Sequence, residues 1–245
     1  MTYDPYRLLD NGYSPIPIPT GTKACLVKGW SRFCDIFPTE DEIEEWKRRW
    51  PGCGWGIACG RIVAIDIDEL DPIKAAEVHR HALKIFGPTD LMRVGKWPKR
   101  ALIYQAEGDI ASTSVPAIDI LARGKQFVAF HIHPATKKPY RWVFDSPLDV
   151  DISQVPKVTQ EQINTFIAPY RLRNAPATSS GELQDIEWGE SGKAIDGREA
   201  LLFKIVGEVS TEFGCPTSDQ FIRSIADEAW ERFEGLADLT RTKGD

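Results

Sequence analysis

The residues best suited to chemistry lie in the run Ile62-Val63-Ala64-Ile65-Asp66-Ile67-Asp68. Aspartate is depleted in strands, yet here two of them interrupt a strongly apolar run, with Ile67 between them. In a strand that spacing sets both carboxylates on one face, their Cα atoms about 6.5–7 Å apart, while Ile65 and Ile67 face the core. Two carboxylates so close repel each other unless a cation lies between them. Magnesium suits such a place: it is hard, takes oxygen ligands, and is commonly held by one or two carboxylates together with substrate phosphates. Asp119, between Ile118 and Ile120, repeats the pattern in a second run. If the two strands are neighbours the three acids converge, and two metal ions about 3.5–4 Å apart could bind, the arrangement of polymerases and nucleases. The same acids would also suit a solvated sheet face, and spacing alone does not choose.

Charge is spread unevenly around these acids. The 245 residues carry a formal net charge of −6, which argues against nucleic acid as a partner. Residues 91–142, however, are net +6, and residues 182–245 are net −8. The middle of the chain could attract phosphates while the tail keeps the whole in solution. Lysines also guard exposed strand edges, so the basic stretch is a footprint rather than a site. His131 and His133 share a strand face; a metal-ligand role would need a third ligand, and a structural or phosphate-side role for His133 is simpler.

The elements that must position these residues follow from local pattern. Residues 13–18 form a short extended segment whose prolines suit a sheet edge. Thr39 opens a helix with Glu42 completing a capping box, and Pro51-Gly52 ends it. Residues 55–59 and 62–67 read as strands joined in a hairpin at Gly60-Arg61. Asp71-Pro72 starts a helix to Phe86 that stops at Gly87-Pro88. Short strands follow at 91–94, 101–105, 117–121, 126–131 and 140–143, then a helix from Thr159 to about Ala168. Residues 174–192 are small, polar and Gly-rich, a linker. Two amphipathic helices, about 196–213 and 217–234, make a helical hairpin. The implied organisation is a catalytic domain over 1–173, a linker over 174–192 and a helical hairpin over 193–245.

Composition narrows the class. With 42% hydrophobic and 27% charged residues the chain is that of a soluble globular protein. No apolar run approaches ~18 residues, so a membrane span is not expected. The polar, acidic start is no signal peptide. Five cysteines (25, 34, 53, 59, 215), an odd number without a C-x-x-C pair, argue against a disulfide framework or zinc knuckle and point to reduced thiols in a cytoplasm.

Taken in order, the motifs resemble the primase–polymerase (prim-pol) branch of the archaeo-eukaryotic primase superfamily, found at the N-terminus of phage and plasmid replication proteins. The resemblance covers roughly residues 10–145. Gly12 to Pro19, then Thr22-Lys23 and Lys28-Gly29-Trp30, resemble the family's opening "G-x-x-x-[IL]-P … K … K-G-W". Trp55 to Gly60, then Val63 to Asp68, resemble "N-x-G-I-x-x-G … hhDhD". Ile118-Asp119-Ile120, then Gly124 to Ala129, resemble "h-[DE]-h-x-x-x-G-x-Q-h-V". His133-Pro134, Pro139-Tyr140 and Trp142 resemble "H-P-x-T-G-x-P-Y-x-W". The resemblance implies an α/β (α+β) fold, a split sheet around an RRM-like catalytic half. It also implies template-directed phosphodiester formation, with Asp66, Asp68 and Asp119 as catalytic and metal-binding residues for Mg²⁺ or Mn²⁺. The expected partners are a single-stranded DNA template and primer, dNTP or NTP, and a separate helicase, since the chain has no G-x-x-x-x-G-K-[ST] loop. If phage-encoded, the protein would work in the host cell cytoplasm.

One departure stands out. The family usually carries a phosphate-contacting histidine between the D-x-D and the third acid, but the chain has none from Ala82 to Phe130. In the matching segment, Gly95 to Leu102, Lys99 and Arg100 supply positive charge instead, Arg by forking onto phosphate oxygens. Gln126 and His133 are further nucleotide-binding candidates. Lys23, Lys28 and Trp30 are candidates for holding template backbone and stacking a base. Two rivals use the same residues: a catalytically inactive module that binds single-stranded DNA or nucleotide, and a metal-dependent nuclease.

Overall fold

The computed structural model describes residues 3–172. The expected linker and helical hairpin lie outside the described residues. The element order is α1 (Pro5–Asp10), β1 (Pro15–Ile18), α2 (Glu40–Arg49), β2 (Gly54–Ala58), β3 (Ile62–Ile67), α3 (Pro72–Phe86), β4 (Met92–Val94), β5 (Arg100–Ala106), β6 (Thr113–Val115), β7 (Ile118–Leu121), β8 (Gln126–Phe130), β9 (Arg141–Trp142), β10 (Lys157–Val158) and α4 (Gln160–Leu172), with short 3-10 turns at Trp30–Cys34 and Ile152–Gln154. Mixed α/β architecture is what the family resemblance implied.

Local chemistry sets the helix ends. The Thr39 side chain accepts from the Glu42 N–H while the Glu42 carboxylate accepts from the Thr39 N–H, the capping box anticipated for α2. Asp71 accepts from the N–H groups of Ile73 and Lys74 and Pro72 follows it, so α3 starts where its sequence signal lies. Its last turn closes through the Gly87 N–H to Leu83 O.

The strands fall into two sheets. Three form the order β1-β2-β8, with β1 at the edge as its prolines require. The larger sheet runs β6-β7-β3-β5-β4-β9, and β10 pairs in parallel with the far half of β5. Strand alternation gives the large sheet two different faces. Val63, Ile65 and Ile67 of β3, Leu102 and Tyr104 of β5, and Ile118 and Ile120 of β7 pack with α3 and α4. The opposite face presents Ile62, Ala64, Ala101 and Ile103 to a second core that holds the small sheet and α2. Each fully buried isoleucine contributes roughly 2 kcal/mol relative to exposure, which fixes β3's register and so decides which way Asp66 points.

One expectation is corrected. β2 and β3 are not a hairpin: β2 pairs with β1 and β8, and β3 with β5 and β7. A tight hairpin of the favoured kind needs positive φ in its turn, and Gly60 is not among the positive-φ glycines. It is required there for another reason, since a Cβ at Gly60 would lie 2.0 Å from the Cys34 carbonyl oxygen. The chain squeezes past the 3-10 turn as it crosses from one sheet to the other. Trp50 sits half-buried at the C-cap of α2.

Candidate active site

β3 and β7 are antiparallel neighbours, and Asp66 pairs directly with Asp119. Directly opposed residues on adjacent strands put their side chains on the same face. The register continues on both sides. Ser114 opposes Asp119, Asp66 opposes Ala101, Ala101 opposes Arg93, and Arg93 opposes Trp142. One transverse row therefore reads hydroxyl, acid, acid, methyl, guanidinium, indole. It lies on the sheet face turned away from α3 and α4. Asp68 follows the end of β3 and is held in extension by its N–H, which donates to Ala117 O at 2.8 Å. By alternation it shares the face of Asp66.

The basic end of the row is pinned to the small sheet. Arg93 Nη1 donates to Val128 O, and Trp142 Nε1 donates to Ala129 O at 3.2 Å. The Arg93 guanidinium lies over the Tyr140 ring, 4.6 Å from its centroid, and Nη2 comes within 3.9 Å of Asp66 Oδ1. Arg93 is buried, and its Nε has no hydrogen-bond partner among the described residues. A buried guanidinium with an idle donor is expensive to maintain, which marks the position as more than packing.

Around this pair lies a cavity of about 240 Å³ that includes Lys23, Asp66, Asp68, Arg93, Lys96, Lys99, His133 and Tyr140 in its lining. Lys99 Nζ pairs with Asp68 Oδ1 at 3.1 Å. Gln126 Nε2 donates to Lys23 O at 2.7 Å, so Gln126 fastens the loop that brings Lys23 to the cavity. His133 Nδ1 accepts from the backbone N–H groups of Ala135 and Thr136, both at 3.2 Å. That assigns the neutral tautomer with the proton on Nε2. Burial, followed by Lys23, Arg93, Lys96 and Lys99, holds the His133 pKa below its ordinary value. The ring is thus a neutral donor rather than a cation.

Other candidates are placed elsewhere. Arg100 opposes Ile67, so its guanidinium goes to the helical face, where Nη1 donates to His79 Nδ1 at 3.2 Å and the group stacks over Trp97. It borders the cavity without turning its charge to Asp66. Lys28 is exposed, and Trp30 is partly buried against the core of the small sheet; neither lines the cavity.

The surroundings of Asp66 alter its acidity. Burial raises its pKa above the usual carboxylate value; Arg93 opposes the rise, Asp68 and Asp119 add to it, and Lys23 opposes it weakly. Among the described residues no three Asp, Glu, His or Cys side chains converge closely enough to hold a metal ion as they stand. Donor chemistry and register nonetheless fit a hard divalent cation. Three carboxylates share one face, two of them directly opposed, and their mutual repulsion is what a cation relieves. Arg93 and Lys99 now supply that positive charge.

A family model of the bifunctional DNA primase/polymerase N-terminal domain, Prim-Pol, matches residues 6–158. The chain belongs to the prim-pol family. Membership implies DNA primase/polymerase activity in replication, a nucleotidyl transfer acting on DNA and nucleotides and generally dependent on a divalent metal. No curated protein matches the chain. Among the described residues no helix is long and apolar enough to cross a membrane. Within this prim-pol domain the row has Ala101, in the segment that matches the family's histidine, and Arg93 reaches across it. Sequence reasoning counted Arg93 and Lys96 only as background charge. The signal that could have found Arg93 is its place between Met92 and Val94, an arginine alternating within an apolar run as Asp66 does.

Proposed function

We propose that this prim-pol domain performs DNA-templated nucleotidyl transfer by a two-metal mechanism in phage or plasmid replication. Asp66, Asp68 and Asp119 would hold the Mg²⁺ or Mn²⁺ ions, which supply neutralisation of triphosphate charge and acidification of the attacking hydroxyl. The observation that carries the reading is the direct opposition of Asp66 and Asp119 beside a cavity walled by Lys23, Arg93, Lys96 and Lys99.

The remaining work falls to this chain's own side chains. Lys23, Arg93, Lys96 and Lys99 bind and neutralise the triphosphate of the incoming nucleotide. The Nε2–H of His133 donates to a phosphate oxygen. Tyr140 keeps both groups in place, its ring 5.2 Å from that of His133 and under the Arg93 guanidinium. A 3′-hydroxyl oxygen forms a bond to the α-phosphorus, the bond from that phosphorus to the bridging oxygen breaks, pyrophosphate leaves, and the hydroxyl proton passes to solvent.

A second reading is favoured by one observation. With no histidine in the Gly95–Leu102 segment and Lys99 already on Asp68, the domain could bind nucleotide and single-stranded DNA without extending a primer. The deciding experiment incubates wild type and Asp66→Asn/Asp119→Asn with primed and unprimed templates, dNTPs or NTPs, and Mg²⁺ or Mn²⁺. Extension by wild type that the double variant loses supports transfer. Nucleotide binding with no extension in any condition supports the binding module.

A further inference from the structure

A second cavity, of about 290 Å³, lies on the other side of the carboxylates, at the β6 edge of the large sheet. Its lining includes Ser112, Ser114, Asp119, Leu121 and Lys125. Asp119 belongs to this cavity, whereas Asp66 and Asp68 belong to the basic one. The opposed acids are therefore a shared wall with a different chemical surface on each side. The Ser112 hydroxyl is used locally: it accepts the Ala122 N–H at 3.0 Å and donates to Arg123 O at 3.3 Å. Arg123 is also committed, to Asp35 at 2.8 Å and Asp109 at 3.4 Å. Lys125 is exposed and makes no ion pair among the described residues. Ser114 is exposed on the same face as Asp119.

We infer that this edge cavity receives the 3′-terminal nucleotide of the strand being extended, with a backbone phosphate on Lys125 and the 3′-hydroxyl presented across Asp119. The inference rests on the nucleotidyl-transfer reading above. Displacement at phosphorus places the entering and leaving oxygens roughly in line, so the hydroxyl must approach from the side opposite the pyrophosphate. Charge decides which side is which. A triphosphate, the most highly charged group in the reaction, matches the cavity of Lys23, Arg93, Lys96 and Lys99. A chain end with one phosphodiester matches the cavity with one uncommitted lysine and polar hydroxyls. Among the described residues the edge strand β6 has no further strand beyond it, so an extended nucleic-acid strand can run past Ser114 without displacing protein.

The test uses the full chain with Lys125→Glu and, separately, Ser114→Tyr, which fills the cavity from its rim. Steady-state extension is measured against varied primer–template at saturating dNTP, and Mg²⁺-dNTP binding is measured without DNA using a fluorescent dNTP. The expected result is a primer KM raised about tenfold in each variant, with dNTP affinity within about twofold of wild type. The unchanged dNTP affinity also shows that each variant is folded; if Ser114→Tyr fails that control, the exposed Lys125→Glu decides. An unmoved primer KM in a variant that extends normally overturns this inference alone. A wild type that binds Mg²⁺-dNTP but never extends overturns the transfer reading and this inference with it.

Discussion

The Arg93 guanidinium reaches within 3.9 Å of the Asp66 carboxylate by passing over Ala101, the small residue that separates them in register. A larger residue at 101 would fill the space the arginine crosses. Ala101→Leu should therefore push Arg93 off Asp66 and weaken Mg²⁺-dNTP binding about tenfold or more. Arg93→Lys keeps a charge but loses the bidentate fork and should weaken binding by about the same factor. Binding of a fluorescent dNTP measures both, with circular dichroism confirming that each variant is folded. Undiminished affinity in both would remove Arg93 from the triphosphate site.

In the proposed two-metal mechanism Lys99 and a metal ion compete for Asp68. The 3.1 Å pair involves a half-exposed carboxylate, so its own contribution to stability is small, about 0–1 kcal/mol. Its consequence lies in binding. Lys99→Met should leave the melting temperature nearly unchanged and tighten Mn²⁺ binding in the absence of nucleotide. With nucleotide present the same variant should bind dNTP about fivefold to tenfold more weakly, because the lysine's partner is then phosphate. Opposite signs in the two titrations are the signature. Weaker Mn²⁺ binding in Lys99→Met would show that the ion pair assists the metal rather than excluding it.

Asp66 sets function against stability. Its pKa is raised by burial and by Asp68 and Asp119, so folding favours the protonated form. Protein stability attributable to this group is greatest below the ordinary carboxylate pKa and falls as pH rises from there through the raised folded value. At neutral pH Asp66→Asn should therefore raise the melting temperature while reducing extension by about a hundredfold or more. The advantage should shrink as pH falls through the raised folded value toward the ordinary carboxylate pKa, below which Asp66 carries its proton in both states. Adding Mn²⁺ should stabilise wild type and leave Asp66→Asn little changed. A less stable Asp66→Asn at neutral pH would mean that Arg93 outweighs burial and the neighbouring acids.

Legibility in the sequence followed the range of the interactions. The ends of α2 and α3 could be read because a cap and its partner lie within three residues. The face of Asp66 could be read because Ile65 and Ile67 flank it. That β7 lies beside β3 could be framed only as a condition, since pairing between residues 66 and 119 is a long-range choice made by the whole core. The Gly60-Arg61 turn signal was local and real, but sheet membership is decided by β1 and β8 on one side and β5 and β7 on the other. β6, β10 and α1 escaped because two, three or six residues are too few to show a period. Arg93 and Arg100 each precede an apolar residue, Val94 and Ala101; only the register of β4 and β5 sends one to the carboxylates and the other to α3.

The Arg100–His79 contact makes the fold acid-sensitive on the side away from the active site. Arg100 can only donate, so His79 Nδ1 must accept and the ring must stay neutral. Burial first, then Arg100 and Arg80, push the His79 pKa down to about 3. The unfolded chain takes up that proton near the ordinary histidine value of about 6.5. Stability from this group is therefore fully present above that value and is lost as pH falls from there toward the folded pKa, by about 1.4 kcal/mol per pH unit. His79→Gln retains a carbonyl acceptor for Arg100 without a titrating proton. It should flatten the decline of unfolding free energy between about pH 6 and pH 4, even if it lowers stability at pH 7 by about 1 kcal/mol through imperfect packing. Urea titrations across that range measure the slope. Equal slopes in wild type and His79→Gln would show that His79 is already exposed to protons in the native state.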